Sequence, residues 1–259
     1  MSLASDILHA ADPVAWARDA CGFTCDDWQE RVLRSRKDMI LLLHRQSGKT
    51  TVTSLVALHL AIHQPGSLTL LLAPSLRQSR EQFNRIRTFL RRLSPAQILE
   101  TENQLSCEFQ SNGSRIIAIP GASPDAIRGF TPDLVIEDEA AFVKDETHEA
   151  LMPSLLVSKG RLILLSTPAG PAGHFHAHWT SGNPDWERIK LAVTENPRID
   201  KGQLDKLRRM TPAHRWKSEY LVQFHDSLGQ LFSSELIESM FDKTVVPLWT
   251  PQEEALLYT

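Results

Sequence analysis

Four short runs, residues 39–44, 68–73, 134–137 and 162–166, are almost wholly apolar, and longer amphipathic stretches separate them. A strand that is apolar at successive positions must bury both faces, which is the condition of a parallel sheet covered by helices. The alternation therefore predicts an α/β fold with a mainly parallel central sheet. Helices are expected at 50–63, 76–93, 146–157, 203–210 and 213–224. An antiparallel hairpin is expected where residues 105–110 and 115–120 flank the turn Ser111-Asn112-Gly113-Ser114. A softer boundary follows Gln223, where Asp226, Ser227 and Gly229 precede a short helical piece at 234–241. Residues 1–228 are thus read as one large domain and 229–259 as a linker or remnant.

Composition narrows the class. With 28 Lys+Arg against 31 Asp+Glu the net charge is −3, so a nucleic-acid partner would need a local basic surface. The 42% hydrophobic content suffices for a packed core, and no apolar run approaches the roughly 20 residues that span a bilayer. The N-terminus lacks the basic cluster and apolar stretch of a secretory signal. Cys21, Cys25 and Cys107 are odd in number and contain no CxxC pair, which favours neither a disulfide framework nor zinc. A reducing cytoplasm is the expected compartment.

Two segments carry chemistry. The first, Arg45-Gln46-Ser47-Gly48-Lys49-Thr50-Thr51, leads from an apolar strand into a helix. Nucleotide phosphates need converging backbone N–H groups, a glycine allowing close approach, a lysine, and a hydroxyl for Mg²⁺. Gly48, Lys49 and Thr50 supply the last three, but the strict phosphate-loop pattern also wants a glycine where this chain has Leu43. The second segment ends the run 134–137 in Asp138-Glu139. At the C-terminal edge of a parallel sheet, Asp138 could share a Mg²⁺ with Thr50, and Glu139 could deprotonate the attacking water. A third piece, Ser166-Thr167-Pro168, ends another apolar run and could sense the terminal phosphate.

In their order these residues resemble the large terminase subunits, the ATPase motors that package DNA into tailed-phage and herpesvirus capsids. Those motors similarly lack the first glycine and carry an early basic residue, here Arg45. The resemblance extends to Asp27-Trp28-Gln29-Glu30, Ala73-Pro74-Ser75, Arg128-Gly129-Phe130 and Ser166-Thr167-Pro168, and covers residues 27 to about 224. It implies a P-loop NTPase fold of the RecA-like (ASCE) type and an ATP- and Mg²⁺-dependent hydrolase. Gln29 would hydrogen-bond adenine, Lys49 the β- and γ-phosphates, and Thr50 and Asp138 would place Mg²⁺. Glu139 would be the catalytic carboxylate, Arg45 a cis sensor, and Arg128 an arginine finger for the neighbouring subunit. Implied partners are double-stranded DNA, a portal protein, a small terminase subunit and further copies in a ring, in the host cytoplasm. Full-length relatives carry a second, nuclease domain; Asp242, Glu253 and Glu254 cannot form its metal site, so no cleavage is expected of this chain. The rival readings are a helicase-like translocase and a non-catalytic regulatory module.

Other features admit two readings. Residues 76–93 hold six arginines, Arg77, Arg80, Arg85, Arg87, Arg91 and Arg92, opposite an apolar side, which suits DNA phosphate, an acidic neighbour or plain solvation. The run His174-Phe175-His176-Ala177-His178 has ligand-type residues but no accompanying carboxylate or cysteine pattern. Trp179, Trp186 and Trp216 read as packing residues.

Overall fold

A computed structural model of the chain describes residues 3–93, 99–120 and 124–224, together with 236, 239 and 240. The chain divides into two compact units, Met1–His225 and Asp226–Thr259, and the elements below belong to the first. Apart from Leu236, Ser239 and Met240, the stretch 229–259 read as a linker lies outside the described residues.

Among the described residues eight strands form one sheet. They are β1 (Asp38–Leu43), β2 (Leu68–Ala73), β3 (Leu99–Glu102), β4 (Ser106–Phe109), β5 (Arg115–Pro120), β6 (Leu134–Asp138), β7 (Arg161–Ser166) and β8 (Trp186–Leu191). Their order is β3-β4-β5-β2-β6-β7-β1-β8. Every neighbouring pair from β5 to β8 is parallel, whereas β4 runs antiparallel to both β3 and β5 at one edge. The helices are α1 (Leu3–Ala11), α2 (Pro13–Asp19), α3 (Asp27–Arg34), α4 (Lys49–His63), α5 (Leu76–Leu90), α6 (Pro124–Ile127), α7 (Asp145–Ser158), α8 (Gly173–Thr180), α9 (Lys201–Met210) and α10 (Ala213–Arg215).

The two-residue period of a strand sorts the core into two layers. Met39, Leu41 and Leu43 of β1 face a core shared with Trp16, Val32, Leu55 and Phe83 from α2 to α5. Ile40 and Leu42 face the opposite core, with Leu151 of α7 and Phe175 of α8. Both faces are therefore covered, as the apolar runs require. Among the described residues no helix is long and apolar enough to cross a membrane.

The strand order sets up the site. β7 lies between β1 and β6, with Leu42 beside Ser166 and Asp138 beside Leu165. The segments leaving β1, β7 and β6 consequently emerge side by side at one edge of the sheet, where ligands of parallel sheets bind.

Several elements differ from expectation. The short helices α1 to α3 are too brief for a clear helical period, although Asp12 accepts from Val14 N–H and Pro13 opens α2. β8 is an edge strand that buries Ile189 and Leu191 while exposing Lys190 between them, so it shows no continuous apolar run. The helix expected at 213–224 stops early: α10 passes into a π-type turn at Trp216–Tyr220. There the Glu219 carbonyl accepts from Arg45 N–H, outside its own helix. Trp216 is buried and stacks on Tyr220, and Trp179 and Trp186 pack against the core, as read from the sequence.

Candidate functional site

The loop after β1 turns sharply into α4. Gly48 adopts φ +91°, a left-handed conformation favouring glycine, and a Cβ there would come within 3.1 Å of the Gln29 amide nitrogen. Gln46 is also left-handed. His44 is fully buried and anchors the loop, its Nδ1–H donating to the Arg45 carbonyl while its Nε2 accepts from Asn196. Burial lowers the His44 pKa, consistent with this neutral tautomer. The Arg45 guanidinium pairs with Glu219 at 3.0 Å.

Lys49 opens α4 and lies almost wholly buried, with its Nζ 2.9 Å from Glu139 Oε1. This is an ion pair without hydrogen-bond alignment, so the ammonium's donors remain available, as does the buried Ser47 hydroxyl. One residue on, Thr50 Oγ1 donates to Asp138 Oδ2 at 2.9 Å. Residues 88 positions apart in the chain thus converge on one spot. The other Asp138 oxygen accepts from Glu139 N–H. Burial is the main influence on Asp138 and pushes its pKa up to about 6; Glu139 adds to the rise, while Lys49 and the two hydrogen bonds oppose it. Glu139 itself sits at φ 53°, a strained conformation for a residue with a side chain. Its second oxygen accepts from Ser166 Oγ at 3.4 Å, so the end of β7 touches the same carboxylate.

Two cavities meet at this loop, and Arg45, Gln46, Ser47 and Gly48 line both. One, about 550 Å³, adds Lys49, Thr50, Thr51, Asp138, Glu139 and a face of α5. The other, about 530 Å³, adds Asn196, Arg198, Gln203 and Tyr220. The hydroxyl of Thr50 and the carboxylate of Asp138 form a hard oxygen donor pair suited to Mg²⁺.

Two residues stand apart from the cluster. Gln29 is buried behind Gly48 and lines neither cavity; its amide oxygen accepts from Asp26 N–H in the cap of α3. The helix cap takes its amide oxygen, and its amide nitrogen lies beside Gly48. Arg128 lines neither cavity and is 71% exposed, paired with Asp125 at 3.2 Å. It does not serve the site of its own chain.

Sequence reasoning missed two features. Arg85, read as part of a surface arginine stripe, lines the first cavity. The histidine run was read as lacking carboxylates, yet tertiary structure brings two to it. Glu137 is fully buried, its oxygens 3.0 Å from His148 Nδ1 and 3.0 Å from His174 Nε2. His174 Nδ1 lies 2.9 Å from Asp145, and His148 Nε2 is 3.1 Å from His178 Nε2. Glu137, His148 and His174 have ligand atoms within 4.8 Å of one another. The two rings, however, stack at 4.1 Å with 14° between their planes. Ring lone pairs lie in the ring plane, so here they run parallel to two different oxygens and do not converge on one ion. The arrangement is a hydrogen-bonded clip. Both carboxylates only accept, so His174 carries a proton on each nitrogen. Burial favours the neutral ring, but Glu137 and Asp145 outweigh it and raise the His174 pKa.

Residues 40–239 match the family described as the terminase large subunit, T4likevirus-type, N-terminal. The terminase large subunit of Thermus virus P23-45 is 31% identical over 152 residues, 52% of this chain and 31% of that protein. That of Escherichia phage T5 is 26% identical over 197 residues, 73% of this chain and 44% of the relative. The chain therefore spans less than half the length of these curated relatives. The solved ATPase domain of the Thermus phage P74-26 large terminase superposes with a TM-score of 0.70 at 24% identity, covering 80% of this chain and 96% of that one. At that identity the likeness shows the fold, a P-loop fold of the ASCE type.

Proposed function

We propose, from the premise that the chain belongs to the large terminase subunit family, that it is a Mg²⁺-dependent ATPase domain coupling hydrolysis to translocation of double-stranded DNA into a procapsid. The observation carrying this reading is the convergence of Lys49 on Glu139 and of Thr50 on Asp138, each at 2.9 Å. Phosphoryl transfer requires positioning and charge stabilisation more than covalent help from the protein. The loop Arg45 to Thr51 holds the phosphates, with the free donors of Lys49 and Ser47 directed to their oxygens. Thr50 and Asp138 would hold Mg²⁺, which would supply neutralising charge to the nucleotide's phosphates. Glu139 releases Lys49, orients the attacking water and accepts its proton, and Ser166 steadies the free carboxylate oxygen. Arg45 is the cis sensor, held ready by Glu219.

The base and ribose occupy the cavity bounded by Asn196, Arg198 and Tyr220, with Gln29 acting indirectly through Gly48. Arg128 on the outer surface serves a neighbouring subunit's nucleotide in a ring that engages a portal protein and a small terminase subunit. The test is phosphate release by the chain with and without Mg²⁺, beside Lys49→Ala. Mg²⁺-dependent release that the substitution abolishes is expected. Release that survives in Lys49→Ala would remove this site from the reaction.

A further inference from the structure

Helix α5 forms one wall of the cavity that holds the acids. Gln78, Glu81, Gln82 and Arg85 line it, a spacing of i, i+3, i+4 and i+7 that defines one helix face. β2, which leads into α5, lies directly beside β6, so this face stands next to Asp138 and Glu139. Gln82 is unlike its neighbours. It is only 1% exposed, and neither its amide oxygen nor its amide nitrogen has a hydrogen-bond partner.

A carboxamide brings two donors and an acceptor oxygen. Leaving such a group buried and unmet forfeits the hydrogen bonds it makes to water, and an apolar residue of similar size would avoid that cost. A cavity wall that retains the amide is therefore built for what the cavity binds. The same cavity is lined by Lys49, Thr50 and the two acids, so the part of a nucleotide that reaches α5 is its terminal phosphate, whose oxygens accept from amide N–H groups.

We infer that Gln82, whose amide atoms are closed off from solvent in the ligand-free chain, turns its amide into the cavity when nucleotide binds and becomes a ligand of the terminal phosphate, through which α5 distinguishes a nucleoside triphosphate from a diphosphate. This rests on the nucleotide reading of the site and adds a contact from outside the phosphate loop and acid strand. Arg85, one turn further along the same face, supplies positive charge at the rim.

The experiment compares the wild-type chain with Gln82→Leu and Gln82→Glu. It titrates ADP and a nonhydrolysable ATP analogue with Mg²⁺ by calorimetry, and records thermal unfolding without ligand. Gln82→Leu is expected to bind ADP within twofold of wild type, to bind the analogue about tenfold more weakly, and to unfold no earlier. Gln82→Glu, close to isosteric, is expected to lose the analogue further through charge repulsion. An unchanged ratio of analogue to ADP affinity in both variants overturns the inference. So does equal loss of ADP and analogue with a lowered unfolding temperature, the signature of a structural amide. If the wild-type chain binds neither nucleotide, the site itself has been misread and this contact falls with it.

Discussion

Replacing Glu139 by Gln separates ground-state electrostatics from chemistry. At 2.9 Å, a unit charge pair at an effective dielectric of about 20 has a gross attraction of about 6 kcal/mol. Most of that is offset by desolvation, and Glu139 is 25% exposed, so we set the net contribution at about 1–2 kcal/mol. The ligand-free protein should lose about that much stability, because the Lys49 ammonium is left buried without its counter-charge. Phosphates restore a counter-charge to Lys49, and wild-type Glu139 must be displaced before they do. Glu139→Gln should therefore bind ATP more tightly, by up to about tenfold for 1.4 kcal/mol. Turnover should meanwhile fall by about 10²–10⁴, the usual contribution of a general base. Equilibrium binding of a fluorescent ATP, single-turnover phosphate release and chemical denaturation measure the three effects. Weaker ATP binding would refute the competition between carboxylate and phosphate, and near-normal turnover would assign the base elsewhere.

Two further outcomes follow from the geometry. Arg128→Ala should leave nucleotide affinity unchanged while suppressing hydrolysis only at concentrations where chains associate; equal loss at all concentrations would place Arg128 in its own site. The clip predicts a pH limb of stability. Its other charged or titratable members are Glu137 of β6, Asp145 and His148 of α7, and His178 on His174's own helix. The His174 pKa is raised in the fold above its ordinary value of 6.5. That contribution is present in full below about pH 6.5 and is lost as pH rises through the raised value. His174→Phe should lower the denaturation midpoint at pH 6 and flatten its decline towards pH 9. An unaltered alkaline slope would show that His174 is not doubly protonated in the fold.

The path from composition to site shows which parts were written locally. The parallel sheet was legible because strands buried on both faces need continuous apolar runs, and β1, β2, β6 and β7 have them. The loop into α4 was legible from Gly48-Lys49-Thr50, whose conformational and chemical demands are met by adjacent residues. The edge strand β8 was not, since half of its side chains meet solvent and leave a diluted pattern. The early end of α10 was equally hidden, because the group that claims the Glu219 carbonyl is Arg45, far away in the chain.

The sequence by itself determined the class of fold, the glycine turn into α4 and the acidic end of β6, because each depends on the periodicity or chemistry of neighbouring residues. Tertiary structure alone decided that Lys49 meets Glu139, that β7 places Ser166 against that same carboxylate, and that Arg85 and Gln82 face a cavity. It also joined a histidine run to Glu137 and Asp145. The physical reason is that strand order and helix rotation are fixed by burial summed over the whole core, and no local stretch of residues carries that sum.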